Sequence, residues 1–380
     1  EDSGSDSIAI GRKALAAQNY DGSAYNIGIG RAAGKAVTTG TLNTIVGGLA
    51  GQALTTGSRN ILIGVRAGDA LTDGNYNVAI GYQALTDDDQ GEHNTAVGYF
   101  ALENYNGGDN TGFNTGIGSQ AGRNISTGQY NTAIGNLTIG NGVTTGDENT
   151  AIGYKAGYNI TSGDNNVLIG AEAGDALTTG SWNIAIGKDA LGATDVGAYN
   201  VAVGGQAMLN NVDGSRNTAL GYGALQNMDP ASAVDTYNIG VGFNAGLSVS
   251  TGVRNVIVGG SAGDALTTGA SNTAIGHEAL GAEDSGSKNT AVGAYALQDL
   301  NYDGDGHNTA IGYVAGAQIT TARYNTILGS LAGDALTTGA ENVAIGYGAL
   351  GQEDAHGKNV AVGMEALTAQ NAGSDAANTA

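Results

Sequence analysis

Short segments that open on asparagine and close on glycine, with small and β-branched residues between, recur from one end of the chain to the other. Asn77-Val-Ala-Ile-Gly81, Asn183-Ile-Ala-Ile-Gly187 and Asn342-Val-Ala-Ile-Gly346 are representative. Three such residues bounded by such punctuation predict a short strand rather than a helix. On the side-chain period of two, the first and third strand residues share one face. They are nearly always Thr, Val, Ile or Leu, so that face is the expected core. The middle residue, mostly Ala, Gly, Ile or Leu, points the other way, which implies a second surface covered by another chain or sheet. Polar stretches, often ending Thr-Thr-Gly, separate the strands.

The asparagines stand at 26, 43, 60, 77, 94, 114, 131, 149, 166, 183, 200, 217, 238, 255, 272, 289, 308, 325, 342, 359 and 378, and fifteen of the twenty intervals are 17 residues. A unit this short cannot bury a core alone and must stack on copies of itself. The expected fold is all-β: a parallel β-solenoid, or β-roll, of about 21 short coils, roughly 100 Å long at ~4.8 Å per coil. It reads as one repeat domain over 1–380, with four-coil super-repeats at 238–307 and 308–377.

Within the unit, Gly four residues after Asn is present in all twenty complete copies. That requires either a positive φ or a backbone approach too close for a Cβ. Ala seven residues after Asn is present in nineteen, with Thr138 the exception; it implies a tight inward site on a second short strand. Stacked asparagines can donate their amides to the coil above, giving a structural ladder whose members include Asn26, Asn43, Asn60, Asn77, Asn166, Asn183, Asn255 and Asn342. Two coil types alternate, Ala173-Gly-Asp-Ala-Leu177 and Ala190-Leu191 being examples. One bulky aliphatic is kept while its position moves, so core volume is conserved. Insertions at 102–113 and at 225–237, with Pro230, mark one rim as variable. The stretch Glu1–Ser7 matches the loop 283–289, and the chain stops at Asn378-Thr-Ala380, an arrangement expected either if the polypeptide continues or if the end of one subunit completes its coil with the start of the next.

Composition narrows the function classes. Gly at 67 with a single Pro excludes collagen. A formal charge of −21 opposes binding to nucleic acid or anionic membrane. No apolar run is long enough for a membrane-spanning helix, and zero cysteines remove thiolate chemistry and Cys-based metal sites.

The strings Asn-Thr-Ala-Ile-Gly-Tyr-x-Ala at 149–156 and 308–315 resemble the repeats of tail-fibre-domain proteins and of the heads of trimeric autotransporter adhesins. The resemblance covers essentially the whole chain. It implies a parallel β-roll, usually three chains side by side, forming an extracellular stalk or receptor-binding head.

Candidate chemistry is sparse. His93 and His307 precede the repeat Asn, His277 follows the repeat Gly and His356 sits in a loop, and none has a recurring Ser or Cys partner. Asp-Gly turns carrying Asp21, Asp213, Asp303 and Asp305 are candidate calcium ligands, although none matches the EF-hand pattern and solvated turn chemistry is the favoured explanation. Aromatics recur just before Asn, at Tyr76, Tyr130, Trp182, Tyr199 and Tyr324, and just after Gly; stacked along a solenoid they form strips able to grip sugars or a neighbouring filament. Thr-Thr-Gly turns raise ice binding, but the Leu-type coils interrupt the array. The expected function is therefore a non-enzymatic extracellular structural fibre or filament subunit, whose partners are copies of itself. The alternative is a receptor- or glycan-binding adhesin or phage-type tail-fibre shaft at a cell or virion surface. A calcium-binding or polysaccharide-degrading β-helix protein is the third reading.

Overall fold

Each Asn-to-Gly segment folds as a three-residue strand because the glycine that closes it can only turn one way. In the computed structural model, which describes residues 6–108, 111–352, 355–369 and 377–380, the glycine four places after Asn has φ near +135° in coil after coil. A Cβ there would also strike the carbonyl of the glycine one coil on, as Gly47 would with Gly64 and Gly64 with Gly81. Both reasons for glycine hold at once: the conformation is closed to other residues and the space is filled by backbone.

The chain is an all-β solenoid whose strands pair parallel and in register with the coil before. Its residues form two compact units, Glu1–Lys188 and Asp189–Ala380. Among the described residues, the first unit carries eleven three-residue strands, from Ile8–Ile10 to Ile184–Ile186, and the second carries ten, from Val201–Val203 to Val360–Val362. Register is strict: Ile27 pairs with Thr44 and Ile29 with Val46, and Thr290 pairs with Thr309 and Val292 with Ile311. Inserted residues leave the ladder through the turns. In the longest coil, Val234–Asp235 leaves the main sheet to pair with Gly214–Ser215. The match between Glu1–Ser7 and the 283–289 loop falls largely on residues outside those described.

The core face is the reverse of the sequence expectation. The middle strand residue is buried, Ile45, Leu62, Ala79, Ala96, Leu168 and Ile257 all being fully enclosed, whereas the first and third residues are half-buried or exposed. The cause is coil width. A 17-residue coil encloses so little volume that mostly small side chains fit inside, and the bulkier aliphatics are turned outward. The second short strand expected around the conserved Ala is also absent. Ala33, Ala50, Ala67 and their equivalents are fully buried, but they sit in a turn flanked by left-handed residues such as Ala32 and Gly34, or Gln83 and Leu85.

The two coil types interlock as knob and hole. In Leu-type coils the leucine one place after the Ala projects beneath the middle strand residue of the next coil, which must then be small. A Cβ on Gly28 would lie 2.7 Å from Leu15 Cγ, and one on Gly116 2.8 Å from Leu102 Cγ. In Gly-type coils the same turn position is vacated for a large strand residue: a Cβ on Gly34 would meet Ile45, and one on Gly157 would meet Leu168, both at 2.8 Å. Gly28→Ala is therefore expected to lose about 1–3 kcal/mol from overpacking. In a Leu15→Ala background the same change should cost little. A denaturation double-mutant cycle reads this coupling, and additive losses would contradict the interlock.

Candidate functional site

Three features line the coils: a buried amide ladder, an outward aliphatic face and a rim of aromatic and acidic turns. The ladder is set by the repeat asparagine, which is buried from Asn26 to Asn359 and half-buried at Asn378. In the first unit the Oδ1 of Asn26 accepts the backbone N–H of Asn43 at 2.9 Å, Asn43 accepts that of Asn60 at 3.0 Å, and Asn60 that of Asn77 at 2.9 Å. Asn149, Asn166 and Asn183 continue the pattern. Most of these amides also donate forward: Nδ2 of Asn26 reaches the Gly40 carbonyl at 2.7 Å, and Nδ2 of Asn166 the Gly180 carbonyl at 3.0 Å, whereas Nδ2 of Asn94 turns to Asp88 and those of Asn289 and Asn359 are buried without a partner among the described residues. In the second unit Asn255 accepts from Asn272 and donates to Gly269, and Asn342 accepts from Asn359. One side chain thus satisfies backbone groups of two coils in a dry interior, where an unmet amide costs about 1–3 kcal/mol.

The outward face is a sheet without charge. In the first unit its third-residue column reads Ile10, Ile29, Val46, Ile63, Ile80, Val97, Ile117, Ile134, Ile152, Ile169 and Ile186, beside a column of Ile, Val and Thr. In the second unit the column from Val203 through Leu220 and Ile275 to Val362 is again wholly aliphatic. Eleven strands at about 4.8 Å make this strip roughly 50 Å long in the first unit.

On the rim, Tyr76 stacks on His93 at 4.7 Å, His93 on Phe113 at 4.9 Å, and Phe113 on Tyr130 at 5.0 Å, all within 10° of parallel. Arg59 closes one end over Tyr76. Tyr76 and Tyr130 are thus members of one continuous column whose inner rings cover one another's faces. Tyr324 stacks on His307 at 5.3 Å, and Arg216 lies over Tyr199 at 4.8 Å. Trp182 is 55% exposed with no ring partner among the described residues. His93 and Phe113 belong to the column by the same spacing rule, and that rule is the signal that would have found them.

The acidic turns do not converge. Among the described residues no three His, Asp or Glu side chains gather as a metal site. Asp303 accepts the Ser285 hydroxyl at 2.6 Å. Asp305 pairs with Lys288 at 2.5 Å, and that hydrogen bond holds its carboxyl below the usual range. Asp21 is exposed and Asp213 half-buried on separate turns. Elsewhere a groove of about 310 Å³ is lined by Asp264, Glu278 and Asp299. Burial, and then the nearby Glu278, push the Asp264 carboxyl up. His277 lies 3.3 Å from Glu278, and the strands around it stay in unbroken register.

Two carboxylates, Asp88 in the acidic run 87–89 and Glu283, are buried, which the sequence did not signal. Asp88 and Glu283 occupy the inward slot that holds Leu54, Leu71 or Leu266 in other coils. Each precedes a lengthened coil. Where an inserted loop withdraws the usual carbonyl partner, Asp88 accepts the Gly91 N–H at 2.8 Å and Glu283 the Gly286 N–H at 2.6 Å. Asn211 does the same for Gly214 at 2.9 Å before the longest coil. Burial pushes Asp88 from 3.8 up to about 7 and shifts Glu283 in the same direction. A folded-state value above the unfolded one means that the folded chain holds a proton the unfolded chain releases. Stability contributed by Asp88 is then full below pH about 4 and lost as pH rises toward about 7, at about 1.4 kcal/mol per unit. Melting curves across this window should show the decline in the parent chain and a flatter profile in Asp88→Asn; identical slopes would contradict it.

Neither a scan against protein-family models nor a search of the curated proteins returns a match to this chain.

Proposed function

We propose that this chain is a non-enzymatic structural subunit of an extracellular fibre, and that copies of it associate side by side through the uncharged sheet face. The observation that carries this reading is the aliphatic column, unbroken through every described main-sheet strand of each unit. A strip this long and this free of charge exceeds the isolated apolar patches usual on monomers and calls for cover. Another copy supplies matching cover by symmetry, since every chain presents the same surface. The resemblance to tail-fibre-domain proteins and trimeric autotransporter heads favours three chains around a common axis at a cell or virion surface. Sedimentation equilibrium on the purified chain tests this: a discrete multi-chain species or longer filaments at micromolar concentration are expected, and a stable single chain would overturn the reading.

The second reading is a glycan- or receptor-binding adhesin. Trp182 favours it, because its exposed indole has an open face for a sugar ring, whereas the Tyr76–Tyr130 column has its inner faces already occupied. Trp182→Ala should abolish binding on a glycan array under this reading and leave assembly unchanged under either.

A further inference from the structure

The chain is strongly acidic, yet four of its fourteen cations converge where no carboxylate of the described residues pairs with them. Four other cations are neutralised by carboxylates: Arg66 by Asp69, Arg123 by Glu103, Arg216 by Asp235 and Lys288 by Asp305. Arg12, Lys13, Arg31 and Lys35 instead surround a groove of about 160 Å³, floored by Ala32 and Leu49 with Gln52 at its edge. All four side chains are exposed, and none is ion-paired among the described residues.

Backbone register holds them together. Ile10 pairs with Ile29, so Arg12 and Arg31 occupy the same turn position in consecutive coils. The Ala32 N–H donates to the Arg12 carbonyl at 2.9 Å, and the Ala17 N–H to the Lys35 carbonyl at 3.2 Å, which fixes both turns side by side. Two arginines one coil apart, with a lysine beside each, repel one another by about 1 kcal/mol per close pair in water. An anion in the groove turns that repulsion into attraction. Guanidinium forks suit the paired oxygens of a tetrahedral anion, and lysines add charge without demanding geometry. The patch is short, because the next coils place Gly48 and then Val65 at the arginine position, and Arg66 is already matched by Asp69. Beyond Lys35 the same turn position holds Gln52 and then Asp69, so the cationic surface ends within two coils, a span suited to a single anionic group.

We propose that Arg12, Lys13, Arg31 and Lys35 form a binding site for one doubly charged tetrahedral oxyanion, a phosphate either free or carried as a monoester. The site stands apart from the assembly reading and does not depend on it. Titration calorimetry of the full chain with inorganic phosphate at low salt should show saturable binding, weakened at least about tenfold by the double change Arg12→Gln and Arg31→Gln. Arg254→Gln, at an exposed arginine in the second unit, should bind as the parent does. Co-sedimentation with phosphatidylcholine vesicles containing phosphatidic acid separates the sources. Vesicle capture lost in the double variant supports a lipid-borne monoester, and phosphate binding without capture supports the free anion. Absence of saturable binding at millimolar phosphate, or equal binding by the double variant, would overturn the site.

Discussion

Gly64→Ala is expected to cost about 4 kcal/mol or more, the largest loss foreseen for any single methyl group added to this chain. Two penalties combine. At φ +139° an alanine is strained by its own backbone, by about 1–3 kcal/mol. Its Cβ would also collide with the carbonyl of Gly81, which is backbone and cannot rotate away. Relief would require parting the two coils, which breaks the bonds from the Gly81 N–H to the Ile63 carbonyl and from the Ile61 N–H to the Asn77 carbonyl, each 2.8 Å long. In a stack where each coil touches only its neighbours, the break should loosen the coils on either side first. Urea denaturation with hydrogen exchange around residues 47–81 measures both effects. A loss under about 1 kcal/mol would show that the coil spacing can yield.

The second large effect concerns association rather than folding. Ile134→Asp with Ile152→Asp places two carboxylates on the outward column of adjacent strands. If that face is covered by another copy, each contact must bury unpaired charge, and association should weaken by at least about a thousandfold, near 4 kcal/mol. Folding of the separate chain should change by only about 1–2 kcal/mol, because these side chains lie outside the core and aspartate is merely a poor strand former. Sedimentation velocity should find single chains with the far-ultraviolet circular dichroism of the parent. An unchanged sedimentation coefficient would mean that the copies meet elsewhere or not at all.

Much of the fold could be read from the spacing alone. The repeat asparagine and the glycine four places on locate every main-sheet strand in 6–369 except Ile8–Ile10, where Ser7 stands in the asparagine position. What spacing could not decide was the inward face, because the usual rule that larger aliphatics lie inside fails when the coil is narrow. The deciding clue was present in pairs: Gly28 follows Leu15, Gly116 follows Leu102 and Gly240 follows Leu225, each leucine projecting into the space a strand side chain would need. The rim was partly legible. Tyr76 and Tyr130 were visible as aromatics, but His93 and Phe113 between them complete the column only when every residue before the asparagine is read as one row. The burial of Asp88 and Glu283 was not legible, because their register with Leu71 and Leu266 shows only once the coils are superposed.

The asparagine ladder gives each unit a direction. Every amide oxygen faces the coil that follows in sequence, and every backbone N–H of the repeat asparagine faces the coil that precedes it. A cut between any two coils therefore leaves the asparagine amide oxygens on one surface and the asparagine backbone N–H groups on the other, while the remaining backbone bonds cross the cut in both directions. Two like surfaces brought together would leave those asparagine groups unmet. Axial growth of any assembly built on this ladder is consequently vectorial, with chemically distinct leading and trailing sides.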